Sequence, residues 1–285
     1  MTELVYLYLL APLHTGGTTQ EGNLLGIARE SHTDLPYIPS STIRGRQRAS
    51  VDNHVVRTQM FGPDLKDLDN QEFLAEYQSQ TGKTITQLEQ GDVWIGDGSL
   101  LWVPVPSLSH GVIWISCPML LRRWKRFNPT LPEIPDDGFW TNVKKNQSGI
   151  YLKDAIINSN ELQDWKDWQA FIPQHPASQG IDRVLVLPDH HCVTLIQMSL
   201  WRQVKVKLDE HKSVEGGFRY EEAIPPDTVM YFPWGVTSQA NGTRKSSQAA
   251  FENLLSRQEI IQIGGQESLG RGFVQQWSIS PVLNS

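Results

Sequence analysis

The sequence predicts an α+β fold, and three observations carry that reading. Stretches dense in β-branched and aromatic residues outnumber stretches with helical periodicity. Several of the strand-like stretches follow one another closely, which favours antiparallel pairing. The 285-residue chain is 39% hydrophobic with 10 tryptophans, below the ~45% of an average globular chain but enough to build a core.

Taken in order, residues 4–10, 93–105, 111–117, 183–187, 193–201, 203–208, 228–234 and 259–263 read as strands. Residues 41–54, 71–79, 162–171 and 246–257 read as helices. The first of these follows Pro39, Ser40 and Ser41, which offer cap hydroxyls. The last carries Ala250, Leu254 and Arg257 near helical spacing. Residues 16–26, 128–149, 174–180 and 239–245 read as loops, being polar and rich in turn-forming residues. No internal repeat or clean boundary divides the chain, so one domain over 1–285 is expected, with insertions near 53–92 and 128–180.

Composition excludes several classes. No apolar run reaches the ~18 residues that would span a bilayer. Residues 4–13 lack a basic flank and are interrupted by Pro12, unlike a leader segment. Cys117 and Cys192 cannot form a disulfide framework, so a cytoplasmic protein with no membrane partner is expected. The formal net charge of -6 argues globally against a nucleic-acid ligand, but the location of the cations decides the matter.

Four segments carry candidate chemistry. Ser40, Ser41 and Thr42 stand at a helix start, followed by Arg44, Arg46 and Arg48. Free N–H groups at such a start attract phosphate, and Arg44 and Arg48 share one face. Gly264, Gly265, Gly270 and Gly272 surround Ser268 and Arg271 in a strand-to-loop segment that could form an anion nest. It is neither a dinucleotide fingerprint nor a P-loop. Trp124 sits among Arg122, Arg123, Lys125 and Arg126, a pattern that suits base stacking with phosphate pairing, although an ordinary charged face explains it as well. Arg202, Lys205, Lys207 and Lys212 fall on a hairpin, with Lys205 and Lys207 on one face. No metal site is expected. His190, His191 and Cys192 would point to opposite faces of a strand, and no four ligands stand at zinc spacing.

In combination these segments resemble the RAMP superfamily. The resemblance rests on His14-Thr-Gly-Gly17, Arg29-Glu-Ser-His-Thr33, Pro36 through Gly45, Phe61-Gly62 and the terminal Gly264-to-Gly272 loop. Residues 97–118 and 182–225 narrow it to the Cas7-like backbone subunits, fourth of the Cmr set, of type III-B CRISPR effector complexes. The resemblance covers nearly the whole chain. It implies a ferredoxin-like (RRM-like) core with insertions forming palm, fingers and a β-hairpin thumb, the thumb at about 196–218. It implies guide RNA (crRNA) bound by Arg44 and the Gly264–Gly272 loop, with target single-stranded RNA, further copies of the chain and other type III effector subunits as partners. Binding would need no cofactor, and Mg²⁺ would enter only with cleavage.

One departure matters. Relatives that cut target RNA carry an aspartate ahead of the Arg-Glu-x-His-Thr stretch, and this sequence offers Asn23 or Leu24 there. Neither is a carboxylate of the kind Mg²⁺ prefers. His14, Glu21, Asn23, Tyr220 and Glu222 are the candidates if cleavage occurs. Three functions therefore stand at this point: a guide-binding backbone subunit, a metal-dependent endoribonuclease, and a nucleotide-binding metabolic enzyme.

Overall fold

The computed structural model describes residues 2–21, 24–143, 149–238, 240 and 242–279. The chain opens with β1 (Glu3–Leu9), β2 (Gly16–Glu21) and β3 (Leu24–Ile27), followed by α1 (Ser40–Ala49), α2 (His54–Phe61), α3 (Leu65–Asp69) and α4 (Gln71–Thr81). Strands β4 (Val93–Ile95), β5 (Ser99–Ser107) and β6 (Gly111–Ser116) lead into α5 (Pro118–Lys125). Short strands β7 (Phe139–Thr141), β8 (Ile150–Tyr151), β9 (Ile156–Ile157) and β10 (Leu162–Asp164) precede β11 (Val184–Val186) and α6 (Asp189–Met198). The chain continues through β12 (Trp201–Leu208), β13 (Val214–Ala223), β14 (Val229–Val236), α7 (Arg244–Arg257), β15 (Ile260–Gln262) and β16 (Phe273–Ser278).

The result is a mixed α+β fold around one large sheet. Its strand order is β10-β7-β11-β6-β5-β14-β1-β16-β15, with β4 also paired to β14. Strand β1 explains why the sheet is covered on both faces. Val5, Leu7 and Leu9 join one core cluster, whereas Leu4 and Tyr6 join another. Period-two alternation separates the two sets, and both faces being apolar gives an almost unbroken apolar run. The first cluster receives Ile43 of α1, Ile196 of α6 and Phe251 of α7. The second is aromatic and gathers Trp102, Trp124, Trp165, Phe171 and Trp277. Among the described residues, no helix is long and apolar enough to cross a membrane.

Several expected elements are corrected. Residues 193–198 form the second half of α6 rather than a strand, and Trp201 begins β12. Cys192, Leu195 and Ile196 are buried at helical spacing, and that packing overrides the local β propensity. Residues 162–171 are β10, paired in parallel with β7, and then a 3₁₀ turn over Asp167–Phe171. Trp165 and Phe171 are drawn into the aromatic cluster, and their spacing of six leaves no helical face. The predicted helix 41–54 breaks because Asn53 starts a new one, its side chain accepting from the Val56 N–H at 2.9 Å. The strand 93–105 divides at Gly96-Asp97-Gly98, where the chain presses against Pro233 and Ile38. The predicted loops hold strands: β2 and most of β3 lie within 16–26, and β7 lies within 128–149.

A second sheet matters most for function. Its order is β12-β13-β3-β2, and β12 is an edge strand. Strand β13 pairs antiparallel with β12 and in parallel with β3 at Tyr220–Leu24 and Glu221–Leu25. The stretches expected as insertions hold α2–α4, with a small core of Val55, Phe73, Tyr77 and Ile85, and the strands β7–β10.

Candidate nucleic-acid interface

Strands β12 and β13 form a two-stranded ribbon. The pairs Arg202↔Glu222, Val204↔Tyr220 and Val206↔Phe218 alternate with Gln203↔Glu221 and Lys205↔Arg219. Alternation therefore gives the ribbon an apolar face of Val204, Val206, Phe218 and Tyr220, and an opposite face bearing Lys205 and Arg219. Solvent reaches both. Val204, Val206, Phe218 and Tyr220 are all exposed, and the Phe218 and Tyr220 rings meet edge to face at 5.4 Å. At the tip, the Asp209 carboxylate accepts from the His211 and Ser213 N–H groups. The Lys207–Glu215 contact of 2.8 Å lies between exposed side chains, and such a pair contributes little.

The base of the ribbon holds two consecutive buried carboxylates. Glu221 and Glu222 point to opposite faces, and each is held by two cations. Glu222 accepts from Arg29 at 2.8 Å and from Arg202 at 2.9 Å. Glu221 lies 2.7 Å from the Lys205 ammonium and 3.4 Å from the Arg271 guanidinium. Burial pushes the Glu221 carboxyl up, but Lys205, Gln266 and Arg271 more than offset this, so it lies below the usual carboxylate range. A depressed folded value stabilises the fold above the unfolded pKa, about 4.3 for glutamate, and that stability is lost as pH falls through the lower folded value. We expect Glu221→Gln to flatten the acid limb of thermal stability below about pH 4.3. Melting curves from pH 7 downwards check this, and parallel acid limbs would refute it.

His14 and the glycine-rich loop close over the same base. The Glu222 carbonyl can only accept, so His14 Nδ1 carries the proton in the 2.8 Å bond between them. The Gly265 N–H donates to the His14 carbonyl at 2.9 Å. Gly264, at φ +83°, leaves room for that carbonyl, because a Cβ there would lie 2.4 Å from it. The Gln262 amide donates to the carbonyls of Gly264 and Arg271, tying the loop's two arms. Gly265, Ser268 and Gly270 face solvent, while Gly272 and Arg271 are buried.

Other sequence-predicted residues have protein partners. The Ser40 N–H donates to the Asp97 carboxylate at 2.6 Å, so the start of α1 already faces an anion. The Thr42 N–H is taken by the Pro39 carbonyl, and Ser41 is exposed. Arg44 donates to the Phe61 and Val93 carbonyls, and its burial lowers its pKa from the ordinary arginine value. Arg48 donates to the Phe61 and Gly62 carbonyls, while Arg46 has a buried Nε without a partner. Arg44 and Arg48 thus act as struts on the end of α2, which the sequence alone reads as free cations. Arg271 is likewise internal, 4% exposed, donating to Gln203 at 2.7 Å and lying 4.4 Å from the centre of the Trp201 ring.

Two further readings change. Trp124 is no stacking platform, because it is buried and donates to the Tyr6 hydroxyl at 3.1 Å, while Arg123 pairs with Glu30 at 2.7 Å. His190, His191 and Cys192 lie on α6, and the described residues contain no group of three or more His, Cys, Asp and Glu side chains placed to hold a metal. Asn23 lies outside the described residues. The backbone of Glu21 pairs with Leu24, an apolar residue. With both oxygens of Glu222 occupied by arginines, the described residues do not fit a Mg²⁺ centre. Tyr220 stands on the same ribbon face as Glu222 and is exposed. Arg29 stood in the sequence reading only as part of the Arg29–Thr33 motif, and Trp201, Gln203, Phe218 and Glu221 were not among its candidate site residues. Extending the alternation of 203–207 to both strands would have found the last three.

A large sheet, a second sheet extending into an exposed ribbon, and a glycine-rich loop locked to the ribbon's base define a structural class, and the matching family model runs from β1 into β16. That model, the RAMP superfamily, matches residues 6–275, and the chain belongs to this superfamily. The chain is 27% identical to the CRISPR system Cmr endoribonuclease Cmr4 of Pyrococcus furiosus, across 95% of this chain and 94% of that protein. Its fold matches oligomeric Cmr4 from Pyrococcus furiosus with a TM-score of 0.70 and 21% identity, covering 98% of this chain and 99% of that one. It also matches a chain of the type III-B Cmr-beta complex bound to cognate target RNA, with a TM-score of 0.73 and 19% identity over 98% and 97%.

Proposed function

We propose that this chain is a guide-RNA-binding backbone subunit of a type III-B-like CRISPR effector complex, repeated head to tail along the guide and presenting it to target RNA. The observation that carries this is the ribbon. Four cations surround two buried carboxylates at its base; on the Glu222 face Asp34 also pairs with Arg29, while on the Glu221 face Lys205 and Arg271 leave a positive surplus beside Arg219 despite the overall charge of -6. Beyond the base, Phe218 and Tyr220 offer exposed rings against which bases can stack. Phosphate and shape contacts of this kind leave sequence recognition to base pairing. Such a head-to-tail contact is heterologous and builds a filament rather than a closed ring.

The finer architecture follows from the same reading. Strands β16, β1, β14 and β5 lie side by side in that order, with α1 after β1 and α7 before β16. This order and these crossovers support a ferredoxin-like palm, with the ribbon as thumb and the excursions at 53–92 and 128–180 as insertions. The exposed part of the loop, with Gly265, Ser268 and Gly270, is the surface offered to guide phosphates. The proposed activity is binding and positioning, carried without a cofactor.

The test is a titration against labelled single-stranded RNA of increasing length at several salt concentrations, with the chain alone and with its effector subunits. Binding that adds one subunit per fixed length increment is expected. The triple variant Lys207→Gln, Lys212→Gln, Arg219→Gln should reduce the slope of log affinity against log salt by up to about 2, at ~0.7 per lost phosphate contact. Absence of RNA binding in both settings would refute the proposal.

A further inference from the structure

We propose that Arg271 is a positioning residue that locks the angle of the ribbon to the glycine-rich loop, so that a ligand on the loop and the stance of the ribbon are coupled. The coupling to a ligand rests on the RNA-binding reading above; the lock itself does not.

The ribbon needs such a device. Two strands alone are marginal in water. Strand β12 is an edge, and among the described residues β13 is paired to β3 at Tyr220 and Glu221. The direction of the ribbon beyond its base is therefore set by side chains. On one face Arg29, two residues past the end of β3, reaches Glu222. On the other face the tie comes from Arg271, in the loop between β15 and β16.

Arg271 is suited to this task at both ends. Its backbone is fixed beside the main sheet: the neighbouring Gly272 N–H donates to the carbonyl of Pro12, beyond the end of β1, at 3.0 Å, and the Arg271 carbonyl accepts from the side chain of Gln262, the last residue of β15, at 3.2 Å. Its guanidinium reaches across to three ribbon residues, stacking on Trp201, donating to Gln203 and facing Glu221. A planar fork can stack and donate at once, which an ammonium cannot. The lock also has slack. Arg271 Nη1 and Gln266 Oε1 are buried without a hydrogen bond, and Arg271 Nη1 stands 3.4 Å from Glu221 Oε2, which the Lys205 ammonium already holds at 2.7 Å. A small shift of the loop would close that gap, and unmet buried polar atoms favour closure. Exposed Ser268 and Gly270 adjoin Arg271, so a phosphate held there acts on the lock directly.

Hydrogen–deuterium exchange on the full chain tests this in two arms. In the RNA-free arm, Arg271→Gln, Glu221→Gln and Gln203→Ala are expected to accelerate exchange at ribbon amides 202–206 and 216–220 by tenfold or more. Amides of β1 and β14 should stay unchanged, and Arg271→Lys should fall between wild type and Arg271→Gln. Gln203 is an exposed ribbon residue, so its variant tests the lock even if replacement of Arg271 prevents folding. Unchanged ribbon exchange in all of them, or equal acceleration throughout the main sheet, would overturn the lock. In the second arm, single-stranded RNA is expected to protect loop and ribbon together in wild type, but the loop alone in Arg271→Gln. Joint protection in that variant would overturn the coupling. Lack of any RNA protection in wild type would overturn both the coupling and the RNA-binding reading, while the first arm would still decide the lock.

Discussion

Gly272→Ala is expected to destabilise this protein far more than Gly270→Ala, although both glycines have φ +74°. The shared left-handed backbone costs about 1–2 kcal/mol for any L-residue. Gly270 has open space where a Cβ would go, so that is its whole cost. At Gly272 a Cβ would lie 1.9 Å from the Ile263 carbonyl oxygen, and Ile263 in turn donates to the Gly272 carbonyl. Backbone cannot rotate away as a side chain can, so overpacking adds about 1–3 kcal/mol. At roughly 2–4 °C per kcal/mol for a chain of this size, thermal unfolding should separate the two variants clearly. Equal shifts would show that the loop gives way without cost.

Trp102→Ala is expected to be the most damaging single core substitution, at about 3–5 kcal/mol for a large buried aromatic. Trp102 is fully buried, 6.2 Å from Trp165, and its indole donates to the Phe171 carbonyl at 2.9 Å. Phe171 and Trp165 belong to the excursion between α5 and β11, so the loss should fall on that region. Trp102→Phe keeps most of the ring and loses mainly the hydrogen bond, an expected cost nearer 1 kcal/mol plus a partial cavity. Neither change touches the ribbon. A folded Trp102→Phe protein should therefore keep the wild-type salt dependence of RNA binding, and a changed slope would mean that the excursion also carries phosphate.

The fold class, strands β1, β5, β6, β11, β14 and β15 of the main sheet and helix α4 were legible because their signals are local, whereas β7, β10 and β16 were not. Strand β1 is apolar in both registers, and α4 has Asn70 to start it and Gly82 to end it. Helix α6 was misread because a single helix turn of Val, Leu and Ile looks like a buried strand until its neighbours are known. The site was legible by position and not by role. The glycine loop and the basic ribbon stand out in the sequence. Which arginines are spent inside the protein does not, since Arg29 and Glu222 are 193 residues apart and Arg271 and Gln203 are 68 apart. Asp97, at the start of α1, is likewise 57 residues from Ser40. A cation with a partner that distant looks free in one dimension.

The ribbon's exposure on both faces bears on how this protein can diverge. None of residues 202–207 or 214–220 is buried, so sequence change there is decoupled from the cores that hold the sheet. Length is decoupled too, because the tip turn around Asp209 is built from its own backbone and side chain. Two residues added to each strand would extend the reach by about 6.8 Å and keep every side chain on its original face, whereas one would invert them all. The ribbon is thus a ruler whose span can be reset in even steps, leaving the frame that carries it untouched.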